Sequence, residues 1–203
     1  MDPTPGGALT RFGDGRVLAG PLGAWTAMVK TITTARLELV AATASHLDAE
    51  LASPEALGGL LGVRVPASWP PGQYDRAAIE YFRLQLARDP SAVGWYGWYA
   101  IHRAGATLIG AAGYFGPPSS DGTVEIGYSI TPEFRGRGLA AEITEALVEK
   151  AFSGPTVRRV IAQAQESNVA STRVLERAGF TCVGPGREPG AIEYERCRPI
   201  VSL

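Results

Sequence analysis

Histidine and cysteine are scarce in this chain, with two of each among 203 residues. Cys182 and Cys197 form no CxxC pair, and His46 and His102 are badly spaced to help them. A metal site of nitrogen and sulfur ligands is therefore not expected. Two free thiols in a reducing cytoplasm are the simpler reading, with one disulfide as the alternative. A surplus of one charge is also missing. The 19 Lys and Arg against 20 Asp and Glu leave a net charge of −1, which argues against a general nucleic-acid or anionic-membrane binder. Long apolar runs are absent, so no segment reads as a bilayer span. The stretch "VLAGPLGAWTA" after Arg11 and Arg16 imitates a signal peptide, but Gly and Pro interrupt it.

What is present is a globular composition, 45% hydrophobic and 19% charged, enough for one domain with a sizeable core. The first 30 residues are rich in Gly, Pro and Thr and lack periodicity. Residues 1–30 read as a flexible extension and 31–203 as the domain. "ARLELVAA" is a strand pattern. Short helices follow, with Ser53-Pro54 as a helix start. "VPASWPPG" cannot be regular structure. "YDRAAIEYFRLQLARD" puts Ile79, Phe82 and Leu86 on one helical stripe. Two strands turning at Arg103-Ala104-Gly105 come next. In "TVEIGYSI", Val124, Ile126 and Tyr128 share one face, and Glu125, Gly127 and Ser129 the other. The remainder alternates helix and strand: Gly138–Phe152 helical, "RRVIAQAQ" extended, Asn168–Gly179 helical, then two strands. This order implies an α/β domain with a mixed sheet and helices packed on it.

The loop "RGRG" sits where a strand hands over to a helix. A helix start offers backbone N–H groups with no intrahelical partner, and its dipole favours negative charge. Gly136 and Gly138 let the chain curl closely, and Arg135 and Arg137 add positive charge. Such a loop suits a phosphate or pyrophosphate. It is neither a P-loop nor a dinucleotide fingerprint, because GxxxxGK[ST] and GxGxxG are both absent. A plain glycine turn with solvated arginines is the bland alternative.

Two motifs in order settle the preference. Arg135-Gly136-Arg137-Gly138-Leu139-Ala140 resembles the Gln/Arg-x-x-Gly-x-Gly/Ala cofactor motif of the GCN5-related N-acetyltransferase (GNAT) superfamily. "NVASTRVLERAGF" resembles the Asn-x-x-Ser-x-Arg-Val helix of the branch containing ribosomal-protein N-terminal acetyltransferases. The resemblance runs from about Thr33 to Pro199. It implies a single-domain fold with a mixed, mostly antiparallel sheet, splayed where acetyl-CoA binds as cosubstrate, and helices on both faces. It implies that the amides of Arg135, Gly136, Arg137, Gly138, Leu139 and Ala140 hold the pyrophosphate. The backbone of Ser129 and Ile130 would pair with the pantetheine arm, and Asn168 and Ser171 would lie near the sulfur. Arg173 would reach the adenosine phosphates. By analogy, Trp69, Tyr74 and Tyr81 would line the acceptor site.

Acetyl transfer to an amine needs a base, donors for the carbonyl oxygen and help for the departing sulfur. Glu125, on the strand entering the loop, is the candidate base; an arginine-paired strand glutamate is the alternative. Many family members supply a Tyr from the last helix to the sulfur, but the aligned residue here is Leu175. Ser171 is the substitute donor, unless it only bonds its own helix. The Trp95–Tyr99 aromatics and Cys182 read as packing, His46 as a helix-face residue, and Arg158-Arg159 as a solvated pair. The leading function is acetyl transfer to a primary amine, on a protein N-terminus or a small molecule, in a cytoplasmic monomer or homodimer. A dimer could form by pairing of the C-terminal strand. The alternatives are an aminoglycoside, polyamine or amino-acid acetyltransferase, and a catalytically silent acyl-CoA-binding module.

Overall fold

The computed structural model describes residues 30–199. The extension expected over residues 1–30 therefore lies outside the described residues, apart from Lys30. Eight strands form one sheet: β1 Thr31–Thr33, β2 Leu37–Ala41, β3 Gly97–His102, β4 Thr107–Tyr114, β5 Thr123–Ile130, β6 Arg159–Gln165, β7 Thr181–Pro185 and β8 Ala191–Cys197. Their order across the sheet is β1-β2-β3-β4-β5-β6-β8-β7. Every pairing is antiparallel except β5 with β6. That parallel step is forced, because β5 reaches β6 through a helical crossover rather than a hairpin.

Helices cover both faces. The helices α1 Ala44–Ala52, α2 Pro54–Leu61 and α3 Arg76–Arg88 pack on Val40, Tyr99, Ile101 and Leu108. The helices α4 Leu139–Ser153 and α5 Val169–Arg177 pack on Leu39, Trp98, Ile109, Val124 and Ile126. Successive strand residues point to opposite faces, so one sheet serves two cores. The expected α3 stripe of Ile79, Phe82 and Leu86 is buried.

Local chemistry sets the helix ends. Thr43 and His46 form a capping box at α1, Ser53 caps α2 ahead of Pro54, and Asn168 caps α5 by accepting from Ser171 N–H at 3.1 Å. Each side chain satisfies a first-turn N–H that has no helical partner. Helix α4 is the exception: its cap is Gly138, at φ 74°, with no side-chain cap.

Several readings of single residues need correction. Strand β8 lies between β6 and β7, so it has no open edge with which to pair a second copy; β7 is the edge. Cys182, expected to be buried, is exposed because it sits on that edge strand, and Cys197 is exposed and free as well. Arg159 is not a solvated neighbour of a strand but part of β6, bonded to Thr123 Oγ1 at 2.9 Å. His46 is buried. The Trp98 and Tyr99 side chains are buried in the sheet cores, in keeping with their reading as packing residues. Among the described residues no helix is long and apolar enough to cross a membrane.

Candidate active site

The β5–β6 ladder is short. It runs from Thr123↔Arg159 to Ile126↔Ala162 and then stops, while β5 continues to Ile130 and β6 to Gln165. The two strands part like a V. Phe115 N–H bonds Glu125 O, and Thr131 N–H bonds Ile109 O. Alternation then turns the main-chain groups of Gly127 and Ser129 toward β4 as well. The edge facing the gap belongs to Tyr128 and Ile130, not to Ser129 and Ile130 as expected from the sequence. Ile130 O is taken by Arg135 Nε at 2.9 Å. Among the described residues the Ile130 N–H and both main-chain groups of Tyr128 have no strand partner. An extended ligand carrying amides could complete this edge.

The gap opens into a cavity of about 480 Å³. Its lining brings together Glu125, Gly127, Tyr128 and Ser129 from β5, Gln163 and Gln165 from β6, and Asn168 and Ser171 from α5. Tyr74, Ala78 and Phe82 close one side, and Arg187 and Glu188, from the β7–β8 turn, close another.

Beyond the end of β5 the chain makes one short turn and enters the glycine loop. Gly136 and Gly138 both take left-handed backbone, φ 73° and 74°, a region costly for residues with a Cβ. Among the described residues no backbone acceptor takes up the amides of Gly136 to Ala140; from Gly138 onward this is what the first turn of a helix entails. Arg135 departs from expectation: its N–H bonds Pro132 O at 3.2 Å, and its guanidinium braces Ile130 O. Arg137 lies over the Phe134 ring, 5.2 Å from the centroid.

A clamp invisible in the sequence fixes this loop. Glu142, in the first turn of α4, accepts from Thr34 Oγ1 at 2.5 Å, Arg36 N–H at 2.9 Å and Arg36 Nε at 2.7 Å. Arg36 Nη1 also bonds Arg137 O at 2.8 Å. Burial works to raise the Glu142 pKa, but the bonds from Thr34 and Arg36 and the Arg36 charge outweigh it, so the carboxyl titrates below its ordinary value. Arg36→Ala should loosen the loop without opening the core. Acetyl-CoA affinity measured by calorimetry is expected to fall about 3- to 10-fold, the scale of one ordinary hydrogen bond.

The match to known proteins falls on this region. The family model described as "Acetyltransferase (GNAT) domain" matches residues 36–181. The chain belongs to this family. Uncharacterized N-acetyltransferase YjdG of Bacillus subtilis (strain 168) is 29% identical over 149 residues, covering 73% of this chain and 88% of that protein. Among solved structures, the ribosomal L7/L12 alpha-N-protein acetyltransferase RimL superposes with a TM-score of 0.60 at 21% identity, covering 88% of this chain and 100% of that one. The aminoglycoside acetyltransferase AAC(6')-Ib in complex with coenzyme A gives 0.55 at 21% identity, covering 80% and 95%. At these identities the structural likeness speaks to the fold: an eight-stranded, mostly antiparallel open sheet with helices on both faces.

In this acetyltransferase, Glu125 lies at the cavity wall with its side chain 13% exposed. Gln163 Nε2 donates to its Oε1 at 3.3 Å, and Arg187 Nη2 forms an ion pair with its Oε2. Gln163 Oε1 in turn holds the Arg187 N–H at 2.7 Å. The carboxylate is thus both cavity-facing and arginine-paired, combining the two sequence readings. Ser171 does not bond its own helix through its hydroxyl. Its Oγ lies 3.0 Å from Tyr128 Oη, and its carbonyl 3.2 Å from the same oxygen. Leu175 is fully buried in the core, so α5 offers no tyrosine at that position.

The three expected acceptor-site aromatics separate. Tyr74 lines the cavity. Trp69 stands behind it, bonded through Nε1 to Glu50 Oε1 at 2.9 Å. Tyr81 is exposed on α3 and packs beside Phe82 and Tyr96, outside the lining. Arg173 is exposed on α5. No spacing or motif marks Arg187, Gln163 or Glu50 as neighbours of this site, because their partners are distant in the chain.

Proposed function

We propose that this acetyltransferase moves the acetyl group of acetyl-CoA to a primary amine, by direct attack with both substrates bound. The observation that carries the reading is the early end of the β5–β6 ladder. It leaves an amide edge open between a cradle of free N–H groups and a cavity holding a carboxylate. The parts fit coenzyme A: the amides of Gly136 to Ala140 suit a diphosphate, and the Tyr128 and Ile130 edge suits the pantetheine amides. RimL has also been solved in complex with coenzyme A, and an acetyltransferase for microcin C7 self-immunity with acetyl-CoA and AMP.

Acetyl-CoA supplies an activated acetyl thioester; the remaining work belongs to the chain. Glu125, directly or through a water, takes the proton released as the amine nitrogen bonds the acetyl carbon. The free N–H groups at the end of β5 donate to the carbonyl oxygen as it gains charge. Ser171, at the mouth of α5, donates to the sulfur. Holding two substrates in one cleft supplies much of the rate.

The acceptor reading is a protein N-terminus or a small uncharged-bodied amine. The charged residues in the lining are Glu125, Glu188 and Arg187, and a polycation would call for a more acidic wall. An N-terminal amine, with pKa about 8, also costs less to deprotonate than a lysine near 10.4. The test is thiol release from acetyl-CoA across a panel of peptides, amino acids, polyamines and aminoglycosides. Turnover with peptides or simple amines supports the reading; coenzyme A binding with no turnover anywhere favours a silent binding module. Glu125→Gln is expected to lower kcat about 100-fold, the low end of what a general base contributes. The loss should be greatest at low pH, where the amine seldom deprotonates unaided. A pH–rate profile unchanged from wild type would remove Glu125 from the role.

A further inference from the structure

The geometry points to Tyr128 as the residue that positions Ser171 for the departing sulfur, which rests on the acetyl-transfer reading above. Tyr128 sits on the last paired turn of β5, just past the point where β6 departs. Its side chain crosses the gap to the N-terminus of α5 and meets both oxygens of Ser171, Oγ at 3.0 Å and the carbonyl at 3.2 Å. Tyr128 and Ser171 both line the cavity. The Ser171 N–H is already spent on the Asn168 side chain, so the position of its hydroxyl is fixed from two directions.

Either hydroxyl of the Tyr128–Ser171 pair can donate to the other, and the phenol always has a proton to give. Burial pushes its pKa up to about 12, with the Ser171 contact opposing that rise, so it keeps its proton throughout the working pH range. A phenol O–H donating to Ser171 Oγ leaves the serine's own O–H free to turn into the cavity. The chain Tyr128 Oη–H to Ser171 Oγ–H to sulfur then strengthens along its length, since each bond polarises the next. As the carbon–nitrogen bond forms and the carbon–sulfur bond breaks, the sulfur collects the electron pair and is met by the serine proton. The amine proton goes to Glu125. The thiolate picks up its proton from solvent on release, so no proton has to leave Tyr128. Without Tyr128 the serine hydroxyl is free to bond back to its own helix, as first-turn serines tend to do. A tyrosine on β5 thus acts through a serine on α5, where the buried Leu175 offers no hydroxyl.

The test is a double-mutant cycle of Tyr128→Phe and Ser171→Ala, read as steady-state thiol release with an amine the wild type accepts. Tyr128→Phe is expected to lower kcat about 10-fold, with the KM for acetyl-CoA within about 2-fold of wild type. In the Ser171→Ala background the same change should lower kcat by less than about 2-fold, because the intermediary is gone. Melting temperatures of the four chains are compared to separate packing from chemistry. An equal kcat loss in both backgrounds, an unchanged kcat in Tyr128→Phe, or a loss that appears only in KM or melting temperature overturns the proposal. A wild type that binds coenzyme A but turns over no amine overturns the acetyl-transfer reading instead, and this role with it.

Discussion

A Gly138→Val chain is expected to bind acetyl-CoA about 10- to 100-fold more weakly than wild type, with the fold intact. Gly138 holds φ 74° and is the cap of α4. An ordinary residue pays about 1–2 kcal/mol for left-handed backbone, and a β-branched one is an outlier there. Among the described residues nothing crowds the position: the nearest of their atoms to an added Cβ is Arg36 Nη2, 3.7 Å away. The protein therefore does not need glycine for packing. It needs glycine for the backbone conformation that turns the amides of Gly136 to Ala140 outward, and for bare space in front of them. Hydrogen bonds to a charged group contribute about 1.5–3 kcal/mol each, so misdirecting one or two gives the expected loss. Calorimetric titration with acetyl-CoA and with coenzyme A is the check. An affinity within 2-fold of wild type would show that the diphosphate is held elsewhere, and would take the assignment of this loop with it.

How legible the site was in the sequence depends on how local each part is. The loop and α4 were readable because strand end, glycine turn and helix start follow one another within about a dozen residues. The α5 start, at Ser167 or Asn168 by sequence and at Asn168 in the fold, and the Gly179 stop were readable for the same reason. Alternation placed Glu125 and Tyr128 on opposite faces of β5 correctly, but alternation gives a face and not a reach. Tyr128 shares the core face with Val124 and Ile126, yet it lies where β6 has already left, so its hydroxyl meets α5 instead of apolar neighbours. The parity error at Ser129 has a similar origin: which residues show their amides to the gap is decided by the β4 register, and register cannot be read from one strand alone. The Arg36–Glu142 clamp and the Arg187–Glu125 pair join residues far apart in sequence, and no spacing rule announces them. Resemblance supplied the splayed sheet, and composition supplied little beyond a single globular domain.

Removing the carboxylate of Glu50 should unsettle this protein more than any change inside the cavity. Glu50, on α1, is buried and accepts three hydrogen bonds: Trp69 Nε1 at 2.9 Å, Tyr74 Oη at 2.9 Å and Tyr99 Oη at 2.6 Å. Among the described residues no salt bridge reaches it. One acidic side chain thus ties α1, the proline-rich segment and β3 together directly behind Tyr74, a wall of the cavity. Glu50→Ala would strand three donors in a dry interior, each costing about 1–3 kcal/mol if unmet. A net loss of about 3 kcal/mol is expected after relaxation, or a fall of roughly 6–12 °C in melting temperature for a domain of this size. The sign of the pH dependence is the sharper test. Burial raises the Glu50 pKa, and the three hydrogen bonds only partly offset that. As pH climbs from the ordinary carboxylate value to the raised one, the unfolded chain gives up this proton before the folded chain does. Stability from this group is therefore complete at low pH and declines across that window. Glu50→Gln keeps the shape and cannot titrate, so its stability curve should lack this decline, and the gap between Gln variant and wild type should move in the variant's favour as pH rises. Urea melts of both chains at stepped pH measure it. Parallel curves, or a Glu50→Ala chain within about 1 kcal/mol of wild type, would mean that the cage is wet and the carboxylate is not what holds this wall of the cavity.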